Sequence, residues 1–409
     1  MQVLKIILIS LIGWSSQAYA DQGCHSQDST HRYVTAPVYY DRPGDQTFRL
    51  YYEVSNNFDP AQSTLFYFFD AQQSGDGAEA LKEKYGVKFN ILRMEHRGFP
   101  CSPIADIQQN GQVNWKVAYE VIRSENVIED IDLIRRDLLG TNGKLFVYGG
   151  SGGGILAAQY LAKYSSNVDK IFIERASDNL AETEQLEREY FFSILKADNV
   201  YFDFLDLIAN KTVPLPQLLW ILQRAGYDYT PQAHKQRAII ASLKNHDFSL
   251  YEELSKEYEN ISAVAPVWQQ LVTPGIVRIF EVFPFAGLMP SIPSALNALE
   301  PLIRPLTELN NRGVIHVSPI NVRTSLQGLP TDTLLVAARW DHVLPFQTML
   351  AMNRNLPNSR LVVLDNNHKM PKGDQCHGEM FRAFFEHGKN SPELEMVLKS
   401  EACRLSKKS

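Results

Sequence analysis

The sequence predicts an α/β fold: a mostly parallel sheet flanked by helices, with a helical subdomain inserted into it. Three observations carry this. Short, continuously apolar runs recur along the chain, as strands buried on both faces require. Helix-periodic stretches separate them, which is the alternation of a parallel sheet. The alternation stops between residues 177 and 319 and then resumes, as it does when a second unit is inserted at a surface loop.

The elements follow in order. Residues 1–20 read as a secretory signal peptide: Lys5, an apolar stretch over 6–14, then Ala18-Tyr19-Ala20 as the cleavage pattern. The apolar stretch is shorter than the ~20 residues that span a bilayer. An exported protein, periplasmic or secreted, is therefore expected, without a stable membrane anchor. Residues 32–40 and 47–54 flank the turn Asp41-Arg42-Pro43-Gly44-Asp45 and predict a hairpin. Apolar strands are expected at 65–69, 89–94, 144–148, 170–173, 333–338 and 361–364. Helices are expected between them, as at 127–139 and 155–164. The core domain would comprise 21–176 and 320–409, and a proline-rich, aromatic helical cap would comprise 177–319.

Composition narrows the class. The chain has 409 residues, 44% hydrophobic and 21% charged, which fits a globular protein and excludes collagen or disorder. Lys and Arg number 40 against 46 Asp and Glu, a net charge of −6 with no dense basic run, so a nucleic-acid partner is not expected. Four cysteines allow three pairings in an oxidising compartment. Cys24–Cys101 and Cys376–Cys403 are favoured, the second because both lie in the C-terminal segment. No Cys-x-x-Cys or His/Cys cluster suggests a metal.

The most informative stretch is Gly149-x-Ser151-x-Gly153, directly after the strand at 144–148 and directly before the helix at 155–164. That context defines a nucleophile elbow, a tight strand-to-helix turn whose neighbours must lack a Cβ. Ser151 would then sit at a helix N-terminus, with the Gly152 N–H aimed at a developing oxyanion. A dinucleotide site competes, because Gly152-x-Gly154-x-x-Ala157 matches a loose G-x-G-x-x-A and Glu174 ends the next strand. That fingerprint normally follows the first strand, and here it comes late.

An acid and a base follow in the chain order of a Ser-Asp-His triad. The strand at 333–338 leads into Asp341, and the strand at 361–364 leads into His368. His368 would take the Ser151 proton and return it to the leaving group. Asp341 would fix the histidine tautomer. Asp365 is the alternative acid, and His377 or His342 the alternative base. The second oxyanion donor should come from the loop after the strand at 65–69, from Asp70 or Ala71. A carboxylate there would oppose an oxyanion unless turned away.

With these residues in place, the chain resembles α/β-hydrolases of the prolyl aminopeptidase group. Glu95-His96-Arg97-Gly98-Phe99-Pro100-Cys101-Ser102 is similar to the family's D-x-R-G-x-G-x-S loop. Asp130-Ile131-x-x-Ile134-Arg135 before Gly149-Gly150-Ser151-Gly152-Gly153 is similar to its helix and elbow. Ala337-Ala338-Arg339-Trp340-Asp341 is similar to its acid strand, and His368 with Pro371 occupies the position of its histidine. Two departures stand out: the family's H-G-G-P-G loop is replaced by residues 69–75, and Pro100 stands for the last glycine of the arginine loop.

The resemblance implies cap carboxylates that bind a substrate's free α-amino group. Residues 278–285 are similar to the family's cap helix, which makes Glu281 the expected ammonium anchor. Glu174 and Asp178 are second choices. Three functions compete on this evidence: an exported serine aminopeptidase acting on short peptides, an ester hydrolase with the same triad, and a non-catalytic binding protein. Neither form of the hydrolytic chemistry requires a metal or organic cofactor. The expected partner is a small peptide or ester.

Overall fold

Alternating strands and helices assemble one eight-stranded sheet in the structure, a computed structural model that describes residues 24–70, 76–197, 199–227, 234–369 and 375–406. The strands are β1 (His31–Pro37), β2 (Thr47–Val54), β3 (Thr64–Phe68), β4 (Asn90–Met94), β5 (Leu145–Gly150), β6 (Val168–Glu174), β7 (Asp332–Ala338) and β8 (Ser359–Leu364). Their spatial order is β1-β2-β4-β3-β5-β6-β7-β8. The predicted hairpin β1–β2 is antiparallel, and β2 joins β4 antiparallel. Every pairing from β4 to β8 is parallel.

Register decides where the chemistry lies. Phe68 pairs with Gly149, Gly150 with Glu174, and Ala338 with Leu364. The loops leaving β3, β5, β6, β7 and β8 therefore emerge along one edge. In open α/β sheets that carboxyl edge is where ligands bind.

Both faces of the sheet are covered, which is why β4 is buried at every position, Arg93 included, and β7 from Thr333 onward. One face packs on α1 (Trp115–Ile122), α2 (Ser124–Leu139) and α3 (Gly152–Tyr164). The other packs on the C-terminal helix α4 (Gln375–His387) through Phe381, Phe384 and Phe385. The disulfides are Cys24–Cys101 and Cys376–Cys403, the pairing expected from the sequence. Among the described residues no helix is long and apolar enough to cross a membrane. The expected signal peptide lies outside the described residues.

The described regular elements between β6 and β7 are all helical. Pro266 and Pro305 lie inside helices, whereas Pro216, Pro274 and Pro301 stand in the first turns of 215–225, 273–282 and 300–311. A missing N–H costs nothing at that position. The chain enters and leaves this cap side by side, with Leu180 N–H donating to Ile320 O and Val322 N–H to Asp178 O.

Two buried ionisable side chains anchor these layers. Arg97, with no exposed surface, donates to both Asp130 oxygens at 2.7 and 2.6 Å and to the carbonyls of Pro37, Val38 and Val121. The Arg97-Gly98 motif thus ties β1, α1 and α2 together. In the cap, Glu187 is fully buried and accepts from the Ser294 hydroxyl at 2.6 Å. Burial pushes its carboxyl up to about 8, against the Ser294 bond. An unfolded Glu ionises near its ordinary value of 4.5, so the folded state binds the extra proton between there and 8. Stability must fall as pH rises through that window, by about 1.4 kcal/mol per unit from this group. Glu187→Gln is expected to abolish that slope and to be the more stable form at pH 7 by about 3 kcal/mol. Urea unfolding of both forms at pH 5 and 7 checks this; an unchanged difference between them at the two pH values contradicts it.

Candidate active site

The elbow forms because β5 ends in glycines and α3 begins in them. Ser151 stands between, at φ 54° and ψ −125°, a strained conformation for a residue with a side chain. A Cβ on Gly153 would lie 2.6 Å from the Phe68 carbonyl oxygen, so only glycine allows α3 to approach β3. The Ser151 N–H donates to Glu174 O at 3.0 Å, and Ser151 O accepts from Ile155 N–H to start the helix.

The structure brings Ser151, His368 and Asp341 together. Ser151 Oγ lies 2.9 Å from His368 Nε2, and His368 Nδ1 lies 2.7 Å from Asp341 Oδ2. The other Asp341 oxygen accepts from the Val343 and Leu344 N–H groups, each at 2.9 Å. Burial opposes charge on Asp341, yet the His368 ring and the Leu344 N–H hold its carboxyl below the usual range. The geometry places an ionised acid behind an imidazole whose free nitrogen can accept the serine proton.

The alternatives are placed elsewhere. Asp365 accepts from the Trp340 indole N–H at 2.6 Å. His342 is buried beside Asp341, and burial pushes its imidazole down to about 4. His377 Nε2 lies 3.2 Å from Glu174 Oε2. Asp178 is engaged by Arg323 at 2.9 Å.

Glu281 differs from expectation. It does not line the cavity above Ser151. Its carboxylate accepts from Arg278 at 2.6 Å and from the Ser124 N–H at 3.0 and 3.1 Å. Ser124 opens α2, so Glu281 caps the N-terminus of a core helix, where a carboxylate is favoured. It fastens cap to core instead of facing a substrate. Gly152 stands at the elbow, as an oxyanion donor must; Ala71 lies outside the described residues.

Glu174 does line the cavity, but within a network. It accepts from the Tyr148 hydroxyl and from Arg175, each at 2.7 Å. Burial opposes its ionisation; Arg175, His377 and Tyr148 outweigh it and hold the carboxyl well below the usual range. Arg175 in turn donates to the His368 backbone carbonyl at 2.5 Å. The Glu174–Arg175 pair therefore grips two loops of the site: Ser151 through the Glu174 carbonyl, His368 through the Arg175 guanidinium. Arg175→Met is expected to lower kcat about 100-fold with little change in KM, because misplacing a reacting group by about 1 Å costs that much. Steady-state kinetics decide; a raised KM at normal kcat would assign Arg175 to substrate binding.

A cavity of about 530 Å³ covers Ser151, within the range of small-molecule sites. The cap supplies a roof of aromatic side chains, Trp220, Tyr227, Trp268 and Phe283, mixed with the aliphatic Ile279, Val282, Leu299 and Leu302. The Tyr227 ring stands edge-on to His368 at 5.0 Å. Sequence reasoning missed Tyr227 and Arg175. The aromatic bias of the cap pointed toward the first, and nothing local distinguished the second.

Residues 70–371, more than half of the chain, match the model of the alpha/beta hydrolase fold, and the chain belongs to that family. Among solved structures it is similar to an α/β hydrolase from a Medee basin deep-sea metagenome library, at 15% identity and TM-score 0.45, covering 85% of this chain and 97% of that one. It is also similar to an α/β fold family hydrolase from Bacillus anthracis, at 14% identity and TM-score 0.38, covering 83% and 92%. A third is 2-hydroxy-6-oxo-6-phenylhexa-2,4-dienoate hydrolase from Rhodococcus, at 16% identity and TM-score 0.39, covering 83% and 93%. No curated protein matches the sequence.

Proposed function

We propose that this protein is an exported serine hydrolase that releases N-terminal residues from short peptides. The observation that carries the hydrolase reading is the chain of contacts from Ser151 through His368 to Asp341. Ser151 Oγ attacks the scissile carbonyl as its proton passes to His368 Nε2. The oxyanion is held at the Gly152 N–H. The proton then goes to the leaving amine, and water hydrolyses the acyl-enzyme by the same steps in reverse roles. The roofed cavity supports small substrates over folded proteins, and the likeness of residues 95–102 and 149–153 to prolyl aminopeptidases supports the peptide reading. Two disulfides support export.

The aromatic roof favours a second reading, hydrolysis of esters with apolar acyl groups. Aminoacyl-fluorophore amides, compared with their N-acetylated forms, separate the two. Turnover of free amines alone, lost in Ser151→Ala, is the expected result. Turnover of neutral acyl esters in preference to every free-amine substrate would replace the peptidase reading with the ester one.

A further inference from the structure

An oxyanion hole in this fold takes a second peptide N–H from the chain leaving β3. The direction of that N–H is set by the carbonyl of the same peptide. The Phe69–Asp70 peptide is the first beyond β3, and no peptide bond among the described residues is cis. The Asp70 N–H therefore points opposite to the Phe69 carbonyl. That carbonyl lies 3.0 Å from His96 Nε2. His96 stands just beyond β4, and in the sheet β4 and β5 flank β3 on opposite sides. A carbonyl held on the β4 side turns the N–H to the β5 side, where Ser151 follows Gly150. Two contacts agree. A Cβ on Gly153 would lie 2.6 Å from Phe68 O, so the preceding carbonyl faces the elbow, as alternation along an extended chain requires. A Cβ on Gly152 would lie 2.7 Å from Asp70 Cγ, so Asp70 itself stands beside the elbow.

His96 is built to hold that carbonyl. Its ring is 5% exposed, and Nδ1 has no hydrogen-bond partner among the described residues, which leaves Nε2 as the engaged atom. A carbonyl oxygen only accepts, so Nε2 carries the proton. Burial, aided by the Arg278 and Arg93 charges, pushes the imidazole down to about 4 against the Phe69 bond. At neutral pH the ring is thus an uncharged donor in one tautomer. The loop that carries it is fastened, Arg97 to Asp130 and Cys101 to Cys24. A group that orients a reacting site needs such a rigid support.

We propose that His96 is a positioning residue for the oxyanion: by holding the Phe69 carbonyl it keeps the Asp70 N–H turned toward Ser151. The proposal rests on the serine-hydrolase reading of Ser151 and holds for a peptide or an ester substrate alike. The charge on the carbonyl oxygen develops after binding, so loss of the His96 bond should lower kcat and spare KM.

The test compares wild type with His96→Leu, His96→Asn and His96→Gln. It reads kcat and KM on whichever of p-nitrophenyl acetate and an alanyl-fluorophore amide the wild type turns over, and the rate at which a fluorophosphonate labels Ser151. A thermal melt reports that each variant is folded. His96→Leu should lower kcat about 100-fold at unchanged KM, the loss that one oxyanion donor carries, and slow labelling to a similar extent. His96→Asn is polar but too short to reach Phe69 O, and should match it. His96→Gln, whose amide reaches as far as Nε2, should recover most of the loss. Wild-type kcat and labelling in folded His96→Leu or His96→Asn, a change confined to KM, or an equal loss in His96→Gln overturns the proposal and leaves the hydrolase reading standing. Wild type that takes no fluorophosphonate on Ser151 overturns both.

Discussion

Asp341→Asn is expected to lower kcat about 10,000-fold while the protein stays folded. The asymmetry follows from the two oxygens. Oδ2 holds His368 Nδ1 at 2.7 Å, and Oδ1 accepts from the Val343 and Leu344 N–H groups. An asparagine can keep its oxygen on the two N–H groups, which preserves the loop. Its NH2 then faces Nδ1 and selects the tautomer with the proton on Nε2. That nitrogen can no longer take the Ser151 proton. Single-turnover kinetics with a thermal melt make the check. A loss of activity matched by a large fall in Tm would mean that Asp341 serves the fold and not the histidine.

The largest stability effect is expected at Asp130. Replacing it by alanine leaves Arg97 charged, fully buried and without its carboxylate. Breaking a buried pair in this way costs about 3–5 kcal/mol. Tyr40 also loses its acceptor, since its hydroxyl donates to Asp130 Oδ1 at 2.8 Å. Removing both charges together, with Arg97→Met added, should recover part of the loss, because the orphaned guanidinium and not the missing attraction dominates the cost. Denaturant unfolding of the single and double variants gives the answer. A double variant no more stable than Asp130→Ala would contradict this account.

The fold was legible because most strands of its sheet have buried, apolar centres. The runs later found as β3 to β8 need no partner information to be seen. The elbow was legible because glycine is required where α3 meets β3, as at Gly153. Asp341 and His368 were legible from their place after strands. Glu281 shows where this reading stops. A glutamate in a motif-like cap helix looks the same whether it faces a substrate or caps Ser124, and only tertiary placement separates the two. Arg175 and Tyr227 were hidden for a related reason. Arg175 acts on a residue 193 positions away, and Tyr227 reaches His368 from the cap; neither pairing has any local periodicity. Asp70 was noted as an electrostatic difficulty, and its carboxylate does stand close to Gly152.

Ser151 is proposed to act as a nucleophile activated by His368 and Asp341. The most direct measurement is reaction of the folded protein with a fluorophosphonate, followed by peptide mass mapping. A single adduct on Ser151 is expected, absent in Ser151→Ala and formed far more slowly in Asp341→Asn. No adduct in folded protein, or an adduct on another residue with Ser151 untouched, would contradict it.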